Sequence, residues 1–120
     1  MSNPKIFIDK KGILSDVAVV QIHGPLDTVG AYTFQEEIEK LIKTGVYKYI
    51  LDFEHLEYIS SAGIGVFFGI SPKLREHQGG FVFIHVRGKI YKLFEMIGLT
   101  ATFRIKNTLE EALKELESDE

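Results

Sequence analysis

The chain contains no cysteine and no tryptophan, only three prolines, and no apolar run of membrane-spanning length. The first absence excludes disulfides, thiolate nucleophiles and cysteine-ligated zinc. The last excludes a transmembrane helix, which needs roughly 18 or more consecutive apolar residues. Basic charge is not in excess: 14 Lys and Arg stand against 17 Asp and Glu, a formal net charge of -3. Proteins that live on phosphate backbones carry a basic patch or stripe, so this balance argues against a nucleic-acid partner. The opening Met-Ser-Asn-Pro-Lys lacks a signal-peptide core. The expectation is a soluble, cytoplasmic domain that does not insert into membranes. What the chain does have is ordinary globular material: 120 residues, 45% hydrophobic and 26% charged, with nine Phe and five Tyr for a core. That suits one compact domain over residues 1–120.

Glycine and proline divide the sequence into short units. Lys5 to Asp9 alternates and ends at Lys10-Lys11-Gly12, which predicts an edge strand. Val17 to Ile22 is β-branched and nearly all apolar, and Gly24-Pro25 is expected to end it. These two segments read as an antiparallel pair. Phe34, Ile38, Leu41 and Ile42 form the stripe of an amphipathic helix, with Thr28 or Thr33 as candidate caps and Gly45 as its C-terminal glycine. Three more strand–helix units follow. The strands are Tyr47 to Phe53, Phe81 to Val86 and Phe103 to Ile105. The helices are Ser60 to about His77, one striped by Ile90, Leu93, Phe94 and Ile97 and closed by Gly98, and one capped by Asn107-Thr108 and striped by Leu109, Ala112, Leu113 and Leu116. Pro72 is expected to kink or break the second helix near Ile70. Glu117 to Glu120 forms an acidic tail that is expected to fray. Alternating strands and helices imply parallel connections, so the fold class is α/β: a mixed, mostly parallel sheet with an N-terminal antiparallel hairpin and about four helices.

Several enzyme signatures fail on inspection. Gly63-Ile64-Gly65-Val66-Phe67-Phe68-Gly69 resembles a dinucleotide glycine string, but no acidic residue follows at the end of the next strand to hold a ribose. Gly65 and Gly69 are better read as bare backbone that lets the helix approach the sheet. Ser60-Ser61-Ala62-Gly63 lacks the glycine of a nucleophile elbow. His23, His55, His77 and His85 are scattered without metal-ligand spacing. No catalytic residue, metal or cofactor is therefore assigned.

Two segments remain. Tyr58-Ile59-Ser60-Ser61-Ala62-Gly63-Ile64-Gly65 lies at a strand-to-helix junction, where one serine suffices as a cap and a second is a good phosphoacceptor. A phosphate there faces free amides and the positive end of the helix dipole. The nearby acids are Asp52, Glu54 and Glu57, and only Lys48 and the distant Arg75 offer basic compensation. The second segment, Gly24-Pro25-Leu26-Asp27, reads alone as a turn with an Asp near a helix start.

Together with the strand Ile50-Leu51-Asp52-Phe53, these segments give the sequence its likeness. It resembles the STAS domains, specifically the stand-alone bacterial anti-sigma-factor antagonists, over nearly the whole chain. The resemblance implies that Ser61 is the phosphoacceptor, with Ser60 the less favoured alternative. It also implies that Asp27, Ser60, Ser61, Ala62, Gly63 and Ile64 belong to a partner-binding surface. The family usually has Asp where this chain has Ser60, so one negative charge beside the acceptor is replaced by a second hydroxyl. The implied function is partner switching without catalysis. Unphosphorylated, such a protein binds a serine-kinase anti-sigma factor and frees the sigma factor; phosphorylation releases it, and a PP2C-like phosphatase reverses the mark. The alternative within the family is a non-phosphorylated scaffold subunit of a lipid-transport or sensory complex.

Overall fold

The computed structural model describes residues 5–12 and 16–117. The strands are β1 (Lys5–Lys11), β2 (Val17–Leu26), β3 (Lys48–Asp52), β4 (Leu56–Ile59), β5 (Gly80–Ile84) and β6 (Arg104–Lys106). The helices are α1 (Thr28–Lys43), α2 (Ser61–Glu76), α3 (Gly88–Met96), the single turn α4 (Leu99–Thr102) and α5 (Leu109–Glu117). The sheet runs β1-β2-β3-β5-β6, with β1 antiparallel to β2 and the other pairs parallel. The mixed α/β architecture expected from the sequence is present, with the one-turn α4 added to the four anticipated helices.

Strand side chains alternate between two cores. Ala18, Val20, Ile22, Tyr49, Leu51, Phe81 and Phe83 face α1, α2 and α3, where Phe34, Ile38, Phe67, Leu74 and Phe94 meet them. Val17, Val19, Ile50, Val82 and Ile84 face the other way, against Ala112 and Leu116 of α5. Both faces are covered, so every residue of β3 and β5 is buried; β5 is apolar throughout and β3 is apolar between Lys48 and Asp52. Arg104 and Lys106 on β6 both reach Glu115 at 3.3 Å and help seat α5. Thr108 caps that helix: its Oγ1 accepts from Glu111 N at 3.1 Å, while Glu111 Oε1 accepts from Asn107 N.

Four local expectations change. Gly24-Pro25 does not end β2, which continues to Leu26 through a register shift; the bulge is where a strand tolerates proline. Its extension pairs with β4, a strand the sequence reading lacks, because Leu56 and Ile59 point inward three residues apart and break the alternation. Helix α2 runs unbroken through Pro72. Pro72 and Phe68, whose carbonyl loses its partner, are both exposed, so the helix is not opened towards the core. On α3, Phe94 is the buried residue and Leu93 only half-buried. The end of the acidic tail, 118–120, lies outside the described residues, and Glu117 is the last residue of α5.

Phe94 packs edge-to-face on Phe53 and Phe83 at 6.0 and 5.6 Å. Phe94→Ala should therefore cost about 3–5 kcal/mol in urea denaturation, and Leu93→Ala about half as much. Tyr49 is fully buried and donates from Oη to the Val46 carbonyl at 2.7 Å. Burial, aided by nearby Tyr47, pushes its phenol above the usual range. The unfolded chain ionises this group from about pH 10, so its contribution to stability is present below that pH and lost as pH rises. Tyr49→Phe should lose about 1 kcal/mol at neutral pH and show a shallower alkaline decline in parallel urea melts.

Candidate functional site

Leu26 and Ile59, the last residues of β2 and β4, are register partners, so the chain leaves two adjacent strands side by side. Each strand enters a helix at once. Asp27 caps α1, its Oδ1 accepting from Gly30 N at 2.8 Å. Ser60 caps α2, its Oγ accepting from Gly63 N at 3.2 Å. Ser60 N donates to the Leu26 carbonyl at 2.9 Å and ties the two helix starts together. The positive ends of both helices converge here, and neither helix has an acid in its first turn.

The cap of α1 is thus Asp27 rather than Thr28 or Thr33. The helix begins directly after the strand, which leaves Asp27 as the residue with extended backbone. Thr33 sits inside the helix with its hydroxyl on the Val29 carbonyl. At α2 the two serines divide the work. Ser60 is half-buried and holds the cap, whereas Ser61 is the first helical residue, exposed, with its hydroxyl bonded to none of the described residues. No histidine is bonded to either hydroxyl among the described residues, so the pair has no general base in place.

The other sequence-predicted positions surround Ser61 unequally. Ala62 is half-buried and lines a groove between α1 and α2. Ile64 is half-buried against the main core. Gly63 is buried, and a Cβ there would lie 3.1 Å from both Ile59 and Leu26 side chains, so this glycine lets α2 settle on the strand ends. Gly65 and Gly69 do not serve that purpose: a Cβ at either meets nothing within 4 Å, and both are exposed along the groove. Their spacing puts them on the outer side of the helix, while Gly63 takes the inner one. Exposed Val29, Tyr32 and Tyr58 add apolar surface on the first turns of α1 and on β4.

Neither basic residue anticipated from the sequence compensates charge at Ser61. Lys48 begins β3, is buried, and pairs with Asp16 at 3.7 Å. Arg75 lies in the last turn of α2, about 20 Å along the helix from Ser61 at 1.5 Å per residue.

A family model described as STAS domain matches residues 10–112. The chain belongs to the STAS domain family. Its relatives include the anti-sigma-B factor antagonist of Listeria monocytogenes, 31% identical over 85% of this chain and 90% of that protein. The protein TM1081 from Thermotoga maritima superposes with a TM-score of 0.84 at 20% identity, covering 93% of this chain and 94% of that one. SpoIIAA superposes in its unphosphorylated form with a TM-score of 0.73 at 21% identity, covering 94% and 98% of the two chains. Its phosphorylated form gives 0.67 at 22% identity, over 92% and 99%. The STAS fold is therefore shared across its whole length. Among the described residues, no helix is long and apolar enough to cross a membrane.

The division of labour between the serines is measurable as stability. Ser60→Ala should cost about 1 kcal/mol through the lost cap, whereas Ser61→Ala should stay within about 0.5 kcal/mol of wild type. Ser61→Asp should be neutral or stabilising by about 0.3–1 kcal/mol, because an acid at the first helical position complements the dipole. Urea melts of the three variants give the comparison directly.

Proposed function

We propose that this STAS domain is an anti-sigma-factor antagonist whose binding to a serine-kinase anti-sigma factor is controlled by phosphorylation of Ser61. The observation that carries the reading is the exposed, unengaged Ser61 hydroxyl beside a second serine that already caps the helix. The kinase transfers the γ-phosphoryl group of ATP: the bond from the Ser61 oxygen to phosphorus forms, ADP leaves, and the hydroxyl proton is released. A PP2C-like phosphatase hydrolyses the phosphoserine and restores the binding form. In this role the domain is a substrate and a ligand, not an enzyme, and it works in the cytoplasm.

Physical chemistry supports a switch at the surface rather than in the fold. A phosphate carries about two negative charges near neutral pH, and helix N-termini accommodate it without unfolding. Covered by a partner without a cation of its own, the same charge carries a desolvation cost large enough to dominate. Asp27, Ser60, Ala62 and Ile64 border the acceptor, Gly63 sets its approach, and the exposed apolar residues nearby supply contact area. SpoIIAA has been solved in both phosphorylated and unphosphorylated forms, which supports a covalent mark in proteins of this shape.

Titration calorimetry of wild type, Ser61→Ala and Ser61→Asp with the cognate kinase tests the proposal, together with fragment mass spectra after incubation with ATP. Phosphate is expected on Ser61 and not Ser60. The Asp variant should bind at least about tenfold more weakly, some 1.4 kcal/mol. The Ala variant should bind like wild type and keep the kinase bound in the presence of ATP. An Asp variant that binds as tightly as wild type, or labelling only at Ser60, rejects the switch. No labelling by any cognate kinase supports the scaffold alternative in a lipid-transport or sensory complex.

A further inference from the structure

Three side chains outside the residues assigned to the Ser61 surface converge at the C-terminal ends of β3 and β5. Asp52 ends β3, Glu54 lies in the turn after it, and His85 follows β5 directly. The two strands pair in parallel with Asp52 opposite Ile84, which delivers the next residue, His85, to the Asp52 carboxylate. His85 Nδ1 lies 2.7 Å from Asp52 Oδ1 and 3.8 Å from Glu54 Oε1. One ligand atom from each of the three residues falls within 4.8 Å of the others. Asp52 is buried, and its Oδ1 also accepts from Glu54 N at 3.0 Å, so the first carboxylate is positioned by the backbone itself. His85 adopts a left-handed backbone with φ 58°, a region in which His, Asn and Asp are several-fold enriched over other non-glycine residues.

We propose that Asp52, Glu54 and His85 form a divalent-metal site, with Zn²⁺ as the matching ion. Zinc bonds of about 2.0–2.2 Å to nitrogen and oxygen place tetrahedral ligand atoms roughly 3.3–3.5 Å apart. The 2.7 Å contact is an Nδ1–H···Oδ1 hydrogen bond, because a carboxylate only accepts; zinc takes the place of that proton, and side-chain rotations bring the three ligand atoms, all within 4.8 Å of one another, to the tetrahedral edge. A nitrogen donor favours Zn²⁺ over Mg²⁺ and Ca²⁺, which take oxygen ligands. The imidazole binds neutral, its proton carried on Nε2, and the two carboxylates balance the ion's charge. Asp52 and His85 also line a cavity of about 370 Å³ together with Asp9, Lys11 and Gln21. Glu54, half-exposed with its Oε1 3.8 Å from His85 Nδ1, supplies the second carboxylate. Sequence spacing hides the set, because 33 positions separate Asp52 from His85.

The competing explanation for any zinc uptake is the ring pair His23 and His55, whose centroids lie 4.4 Å apart. The test is calorimetric titration of chelator-stripped protein with zinc chloride, using wild type, His85→Asn, Glu54→Gln and a His23→Ala/His55→Ala double variant. Asparagine tolerates the left-handed backbone and Gln keeps the shape of Glu54, and circular dichroism checks that each variant is folded. One equivalent of zinc should bind wild type and the double variant alike, and zinc should raise the melting temperature of both. His85→Asn and Glu54→Gln should each weaken binding at least about tenfold and abolish the thermal shift. Cobalt substitution should give the visible bands of a four-coordinate site in wild type only where His85 is present. Undiminished affinity in His85→Asn, loss of binding in the His23/His55 variant, or no binding by wild type each overturns the site. None of these outcomes bears on Ser61, so the two proposals stand or fall separately.

Discussion

The arrangement depends on one strand being long enough to have two parallel neighbours in succession. The first half of β2 pairs with β3 and its end with β4, so the chain passes from the central sheet to the site along a single strand. Because Leu26 and Ile59 are paired, the residues that follow them must be neighbours, and both are helix caps. Two helix N-termini with unpaired amides and aligned dipoles are thereby held together. The bulge at Gly24-Pro25 re-aims the strand end, and Gly63 lets α2 lie down against it.

Beneath that surface the core is aromatic and interlocked. Phe67 meets Phe34, Phe83 and Phe81 edge-on at 5.6, 5.2 and 5.8 Å, and Phe83 in turn meets Phe94 and Phe103. Edge-to-face pairs of this kind add to their area burial and fix side-chain orientation. The inner face of α2 is therefore anchored through Phe67 and Leu74, while Ser61 at its start stays exposed. An anchored helix with an exposed residue at its start suits the proposed switch. In that proposal a charge at Ser61 acts on a partner by electrostatics and desolvation, and the core need not rearrange. On the opposite face α5 packs on the sheet, and Asp52, Glu54 and His85 meet at the ends of β3 and β5.

The elements that periodicity and glycine punctuation reveal are those buried on a whole face. β5 and the middle of β3 read as apolar runs because both their faces are covered, and α1 as a stripe because it has one buried side. β4 was illegible because four residues with two exposed carry neither pattern, and its pairing partner is a strand extension that a proline appeared to forbid. The glycines of α2 misled for a geometric reason: at about 100° per residue, Gly63 and Gly65 point to different sides of the helix. Which one meets the sheet depends on where the sheet is, and only Gly63 does.

What the sequence by itself determined is the class of the fold, the order of its parallel units and the stretch of chain that carries the site. These follow from local quantities, namely side-chain polarity, backbone allowance and spacing. Which serine caps and which stands free was decided by tertiary structure, since it depends on where β4 ends against β2. The same holds for Asp27 as the α1 cap and for His85 meeting Asp52 across 33 positions. Such relations are set by strand register, and register is a property of the packed sheet rather than of any one segment.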